Sequence, residues 1–194
     1  EPRDLAAIRN SLVLVAIVTL LCVLIGVPLA YISARYSFPG KSVIVFLPLI
    51  TLVIPEIISA QTWLMMLGNN GLITRFLRDF GIRLPSFYGW FGLITVLTFI
   101  FYTYVYIGTM AAIAGFDSHL EEAAQSLGTS PALSRMKVML PVIAPAILAS
   151  ALLVFTMVIG NFAVSIILSH RLPLLSVATY QAAVSEGGVN PLMQ

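Results

Sequence analysis

In this chain of 194 residues, hydrophobic residues make up 59% and charged residues only 9%. A soluble globular domain carries about 25% charge, so a water-facing surface cannot be built from this composition. Disorder is excluded by the same figures, and a formal net charge of +2 on scattered basic residues leaves no footprint for nucleic acid.

The composition is that of an integral membrane protein, read as one transmembrane domain over 1–194. A helix crosses the hydrocarbon layer with about 20 apolar residues, and the first window of that size runs from about Ser11 to Ser33. Cys22 lies inside it as a small buried hydrophobe. Being the single cysteine, it rules out an internal disulfide framework or a cysteine-built metal site. The uncharged stretch is too long for a signal-peptide core, and with no initiator methionine the chain reads as a piece of a longer polypeptide.

A short basic turn, Arg35 to Lys41, leads into a second window from about Ser42 to Leu67, interrupted by Pro48, Pro55 and Glu56. Glu56 is the only acidic residue in any span. An intramembrane carboxylate costs at least about 2.5 kcal/mol to insert and defaults to a functional role. Glu56 either lines a pathway or gate, or lies near the outer interface beside water or Arg75. Gly68-Asn69-Asn70-Gly71 is a turn signal. Beyond it Leu72, Ile73, Phe76, Leu77 and Phe80 share one helical face, with Arg75, Arg78 and Asp79 opposite. This is a short helix lying in the membrane interface, or one packed on the bundle from the water side.

The third window falls within Phe87 to Phe116. Its aromatic run includes Tyr102 and Tyr106 on one face, read as packing residues or interface anchors rather than a ligand cage. A fourth window falls within Val138 to Ser169 and contains Asn161 beside Gly160. Asn161 is either pathway-lining or an inter-helix hydrogen-bonding residue. None of the four windows alternates in polarity as barrel strands do, so all are helices. With alternate crossing, Arg35, Lys41, Arg135 and Lys137 share one side. Arg3, Arg9, Arg75, Arg78, Arg83 and Arg171 share the other, and the positive-inside rule applied naively places the first group outside; with Arg75 and Arg78 in the amphipathic segment, the count does not decide topology.

Between the third and fourth windows lies a polar island, 117–137. Ser118-His119-Leu120-Glu121 has capping-box spacing, so a helix is expected from Ser118. Gly128 stops it in a left-handed conformation, and Ser130-Pro131 restarts a helix with Ser130 as cap. Two short helices thus meet at a glycine outside the bilayer. His119 and His170 lack partners at metal-ligand spacing. No phosphate-binding loop, zinc-protease pattern or nucleophile elbow occurs, so neither catalytic residue nor cofactor is expected.

Glu122-Ala123-Ala124, Gly128, Val138 and Leu140-Pro141 stand at the spacing E-A-A-x3-G-x9-I-x-L-P, with valine in place of isoleucine. This resembles the signature of membrane subunits of type I ATP-binding-cassette importers, the binding-protein-dependent permeases. The resemblance implies an all-α polytopic helical bundle of the type I importer permease fold in the bacterial cytoplasmic (inner) membrane. At least four spans are present here and the final span is missing. It implies that 117–137 is cytoplasmic and docks in a groove of a dimeric ATPase through Glu122, Ala123, Ala124, Gly128, Val138, Leu140 and Pro141. A second permease subunit, or a second half of the same chain, and a periplasmic or lipid-anchored solute-binding protein complete the implied partners, all amid membrane lipid. Ala114-Gly115-Phe116-Asp117, Leu153-Val154-Phe155 and Gly160-Asn161-Phe162 are similar to the branch importing ferric iron, polyamines, thiamine or phosphonates, with ferric iron the expected solute. Two other classes are weighed against this. A secondary transporter predicts paired broken-helix repeats; a membrane-embedded lipid enzyme needs convergent acids or histidines, of which only Glu56 is present.

Overall fold

The computed structural model describes residues 2–170 and 172–187. Arg171, one of the arginines in the charge tally, lies outside them, as does the side chain of Arg3. Among the described residues the regular elements are all helical. They are α1 (Pro2–Arg35), α2 (Lys41–Val53), α3 (Glu56–Leu67), α4 (Leu72–Asp79), α5 (Trp90–Ala114), α6 (His119–Ser126), α7 (Pro131–Ser134), a π-turn (Arg135–Met139), α8 (Leu140–Ile159), α9 (Ala163–Leu168) and α10 (Leu175–Gly187).

Three runs are long and apolar enough to cross a membrane: Asp4–Arg35, Trp90–Ala114 and Pro131–Ile159. The bent pair Lys41–Val53 and Glu56–Asp79 makes a fourth if counted as one span. Pro48 is absorbed inside α2, whereas the chain breaks at Pro55. A proline ring crowds the preceding turn and offers no N–H, so a helix readily ends before it.

The fourth window is shifted from its expected bounds. Helix begins at Pro131, inside the polar island, and ends at Ile159 rather than near Ser169. Apolarity continues to Leu168, but Gly160 to Phe162 leave the helix and α9 restarts beyond them. The π-turn lies directly ahead of Pro141, with the Leu140 N–H reaching back to the Arg135 carbonyl. The wider turn makes room where Pro141 has no N–H to give.

The helices form two compact units. One comprises Thr19–Leu52 and Phe101–Val154. Within it, small residues set the helix spacing, as expected where packing rather than the hydrophobic effect draws helices together in lipid. A Cβ on Gly26 would lie 2.9 Å from the Tyr102 carbonyl oxygen and 3.0 Å from the Tyr106 nitrogen, so α1 meets the backbone of α5 there. A Cβ on Gly108 would collide with the Ser150 hydroxyl of α8. Tyr102 and Tyr106 are buried, in keeping with a packing role. The Thr51 and Thr103 hydroxyls both reach the Pro48 carbonyl, at 2.7 and 3.0 Å.

The other unit comprises the residues up to Val18, Val53–Ile100 and those from Phe155 onward. Asn10 of α1 donates to the Pro173 carbonyl at 3.2 Å, and the Ser11 hydroxyl accepts from the Leu175 N–H at 2.8 Å, capping the start of α10. Trp63 stacks on Phe87 and meets Phe99 edge-on. In α4 the apolar face points outward: Leu72 is 69% exposed, Phe76 62% and Phe80 69%, while Thr74 is buried and donates to the Leu67 carbonyl. Packing on the bundle through that face, one of the two readings of this segment, is therefore not what the fold adopts.

Candidate functional site

The polar island folds into an elbow that local backbone chemistry dictates. At its glycine end the Gly128 N–H bonds to the Gln125 carbonyl at 2.9 Å and the Thr129 N–H to the Ala124 carbonyl at 3.1 Å, with Gly128 at φ +88°. Those two bonds are the Schellman closure of α6. Ser130 is extended, its hydroxyl accepts from the Leu133 N–H at 3.4 Å, and Pro131 fills the first turn of α7. Both features follow the spacing read from the sequence.

The start of α6 differs. Helix is expected from Ser118 with that residue as cap; α6 begins at His119, and Ser118 has helical backbone angles but a hydroxyl that caps nothing. The Asp117 carboxylate accepts from the His119 N–H at 3.0 Å in its place. Glu121, free of the capping box, turns inward and is buried. Its carboxylate accepts from Arg35 Nη2 at 2.7 Å, and its carbonyl accepts from the Ser134 hydroxyl at 3.4 Å. The same Arg35 nitrogen lies 3.2 Å from the Met139 sulfur, and the guanidinium carbon lies 5.9 Å from the Phe116 ring centroid. Arg135 of the π-turn donates to the Tyr31 hydroxyl at 3.0 Å. Tyr31, Arg35, Glu121 and Arg135 line a cavity of about 260 Å³ beside the elbow.

Three functional candidates were hidden from sequence reasoning: Arg35, Glu121 and Leu127. Leu127, last before the glycine, is 88% exposed and is the most protruding apolar side chain of the elbow. The only signals were the doubled acid at Glu121-Glu122 and a leucine ending an otherwise polar helix.

The signature residues divide by face. Glu122 and Ala123 are exposed, whereas Ala124 is half-buried on the stripe shared with Glu121. The two alanines therefore have different reasons for being small. Ala123 keeps the outer face flat, and Ala124 lets α6 lie close to its own unit. Glu122 sits 3.4 Å from the His119 ring with both side chains exposed, a contact worth little. Val138 is half-buried, while Leu140 and Pro141 are exposed at the start of α8. Met139 between them is the buried member, packed with Ile113 and Ile143.

Glu56 and Asn161, singled out separately in the sequence, meet. The Asn161 side-chain amide donates to the Glu56 carboxylate at 2.5 Å, and its oxygen accepts from the Val164 N–H at 3.0 Å, capping α9. The partner of Glu56 is thus Asn161 rather than Arg75, and one buried asparagine serves both helix breaks. Glu56→Gln keeps an acceptor for that amide and is expected to cost little. Asn161→Leu removes a hydrogen bond to a charged group and should cost about 1.5–3 kcal/mol. Thermal unfolding of the detergent-purified protein checks this. Equal losses from the two variants would mean that charge, not hydrogen bonding, holds the joint. Among the described residues no three His, Cys, Asp or Glu side chains converge as a metal site.

Residues 26–183 match the family described as binding-protein-dependent transport system inner membrane component. The chain is 33% identical over 185 residues to a probable molybdenum ABC transporter permease protein of Haloferax volcanii, the match taking in 94% of this chain and 66% of that protein. It is 28% identical over 172 residues to a sulfate transport system permease protein of Salmonella typhimurium, covering 89% and 61%. It is 31% identical over 163 residues to a molybdenum transport system permease protein of Mycobacterium tuberculosis, covering 83% and 60%. The chain thus spans less than two thirds of the length of each of these relatives. A bacterial ABC transporter involved in import of the acidic polysaccharide alginate superposes with a TM-score of 0.75 over 97% of this chain and 70% of its own, at 20% identity. That likeness shows a shared all-helical membrane fold.

Proposed function

The chain belongs to the family of binding-protein-dependent transport system inner membrane components, and from that premise we propose that it is the membrane subunit of an ATP-binding-cassette importer. It lines part of the solute path and takes its drive from a separate cytoplasmic ATPase. The observation that carries this is the elbow: a short helix whose exposed face presents Glu122, Ala123 and Leu127 and whose exit is fixed by Gly128. With the ATPase on a separate subunit, coupling to hydrolysis would cross a protein interface there. Val138, Leu140 and Pro141 shape the helix behind the elbow, and Ala124 seats it. Glu56 and Asn161 form a polar joint beside the path. A dimeric ATPase, a second permease subunit or half, and a solute-binding protein are the partners in this reading.

For the solute, relatives named for molybdenum and sulfate support a tetrahedral oxyanion. This replaces ferric iron, expected from a few short resemblances along the chain; polyamine, thiamine and phosphonate find no support in these relatives either. The test is uptake by vesicles holding the intact protein, its ATPase subunit and its solute-binding protein. ATP-dependent accumulation of sulfate or molybdate is expected, and accumulation of ferric iron instead would reverse the assignment.

The reading also fixes topology, with 117–137 cytoplasmic and 68–85 outside. Ser126 and Asn70 are both exposed. In a Cys22→Ser background, Asn70→Cys should react with an impermeant thiol reagent in intact cells and Ser126→Cys should not. The opposite pattern would invert the orientation.

A further inference from the structure

We propose that the Arg35–Glu121 ion pair is the positioning contact through which displacement of the elbow reaches the first spanning helix. This rests on the reading of the elbow as the ATPase contact. Arg35 is the last residue of α1 and Glu121 lies in the first turn of α6. Each charge therefore also suits the dipole of its own helix. The pair closes at 2.7 Å with the Glu121 side chain only 9% exposed and that of Arg35 29% exposed. A charge-assisted bond in such a partly dehydrated place is short and directional.

The pair is also central. Arg35 reaches Met139 at the end of the π-turn and faces the Phe116 ring, while the Glu121 carbonyl receives Ser134 of α7. One contact therefore gathers α1, α6, α7 and the π-turn. The rest of α6 offers little grip, since apart from Glu121 and half-buried Ala124 its side chains are exposed. A helix of eight residues does not hold itself in place without such anchoring. Pressure on Ala123 or Leu127 is thus delivered to α1 through Glu121 and Arg35. Among the described residues the second carboxylate oxygen of Glu121 is buried with no hydrogen-bond partner, so its bond from Arg35 is the one the structure gives this carboxylate.

That last point separates positioning from simple stability. Arg35→Met leaves the buried Glu121 carboxylate unpaired and should lower the melting temperature, whereas Glu121→Leu leaves only Arg35, whose guanidinium can reach water, and should cost less. The double variant removes both charges and should regain it, as buried pairs replaced by apolar groups generally do. Its outward face is untouched, so the ATPase subunit should still co-purify. Solute taken up per ATP hydrolysed, however, should fall about ten-fold in the double variant, the scale of a typical coupling between linked sites. Parental stability together with a parental ratio in that variant would overturn the proposal. If the double variant does not fold, Arg35→Lys decides. A lowered ratio at parental melting temperature supports the proposal, and an unchanged ratio overturns it. A parental protein that binds no ATPase and shows no ATP-driven uptake tells against the importer reading instead, and it does so before any variant is made.

Discussion

Ala123→Trp is expected to release the ATPase subunit and stop ATP-dependent uptake while the chain still inserts in the membrane. Ala123 is on the exposed face of α6, one turn from the 88% exposed Leu127, so an indole there stands proud of the elbow without touching the spans. A wedge at the centre of a small contact displaces its neighbours as well. Losses of about 2 kcal/mol or more mark the few residues near the centre of a contact that dominate it. Ala124→Trp, the wedge that the alanine pair alone would suggest, is a poorer test. Ala124 is half-buried, and a bulky group there would lift α6 from its own unit before meeting any partner. Glu122→Ala should be mild, under about 1 kcal/mol, because that carboxylate is exposed and its contact with His119 is long. Retention of the ATPase subunit on an affinity column is the measurement. An Ala123→Trp protein that retains it and transports at the parental rate would mean that the exposed face of α6 is not a contact.

Gly128→Val should be comparably damaging for a different reason. At φ +88° a side chain sits in the left-handed region, at a cost of roughly 1–2 kcal/mol and more for a β-branched residue. No atom lies within 4 Å of the position a Cβ would take, so the cost is conformational and not steric. The Schellman bonds from Gly128 and Thr129 depend on that conformation. Losing them redirects α6 relative to α7 within the elbow. Uptake is expected to vanish with insertion intact. Gly128→Asn, which tolerates the left-handed region, should retain much of it. Equal activity of the valine and asparagine variants would show that the turn does not govern transport.

What could be read from the sequence depended on how far apart the deciding residues lie. Gly128, Ser130 and Pro131 determine their turn within four residues, and the elbow was legible from them. The spans were legible because bilayer thickness sets a length that composition must satisfy. The capping box was not, since Asp117 caps the His119 N–H one position earlier and Ser118 itself turns helical, which only geometry shows. The inward turn of Glu121 depends on Arg35, 86 positions away, and the role of Glu56 on Asn161, 105 positions away. A hydropathy window gave no sign of the break at Gly160 to Phe162, because the residues around it are as apolar as a span. The exposed face of α4 was open for a related reason: its pattern fits burial against protein or against lipid equally well. Arg35 looked like an ordinary basic residue at the end of a span, and its partners make it more than that.

The central claim, that the elbow contacts a separate ATPase, is tested most directly by cross-linking from Leu127. In a Cys22→Ser background, Leu127→Cys would carry a photoactivatable maleimide in membranes containing the ATPase subunit, with Asn70→Cys as the control on the opposite side. A photoproduct joining this chain to the ATPase from position 127 and none from position 70 is the predicted result. No product from position 127, or the same product from position 70, would contradict the account.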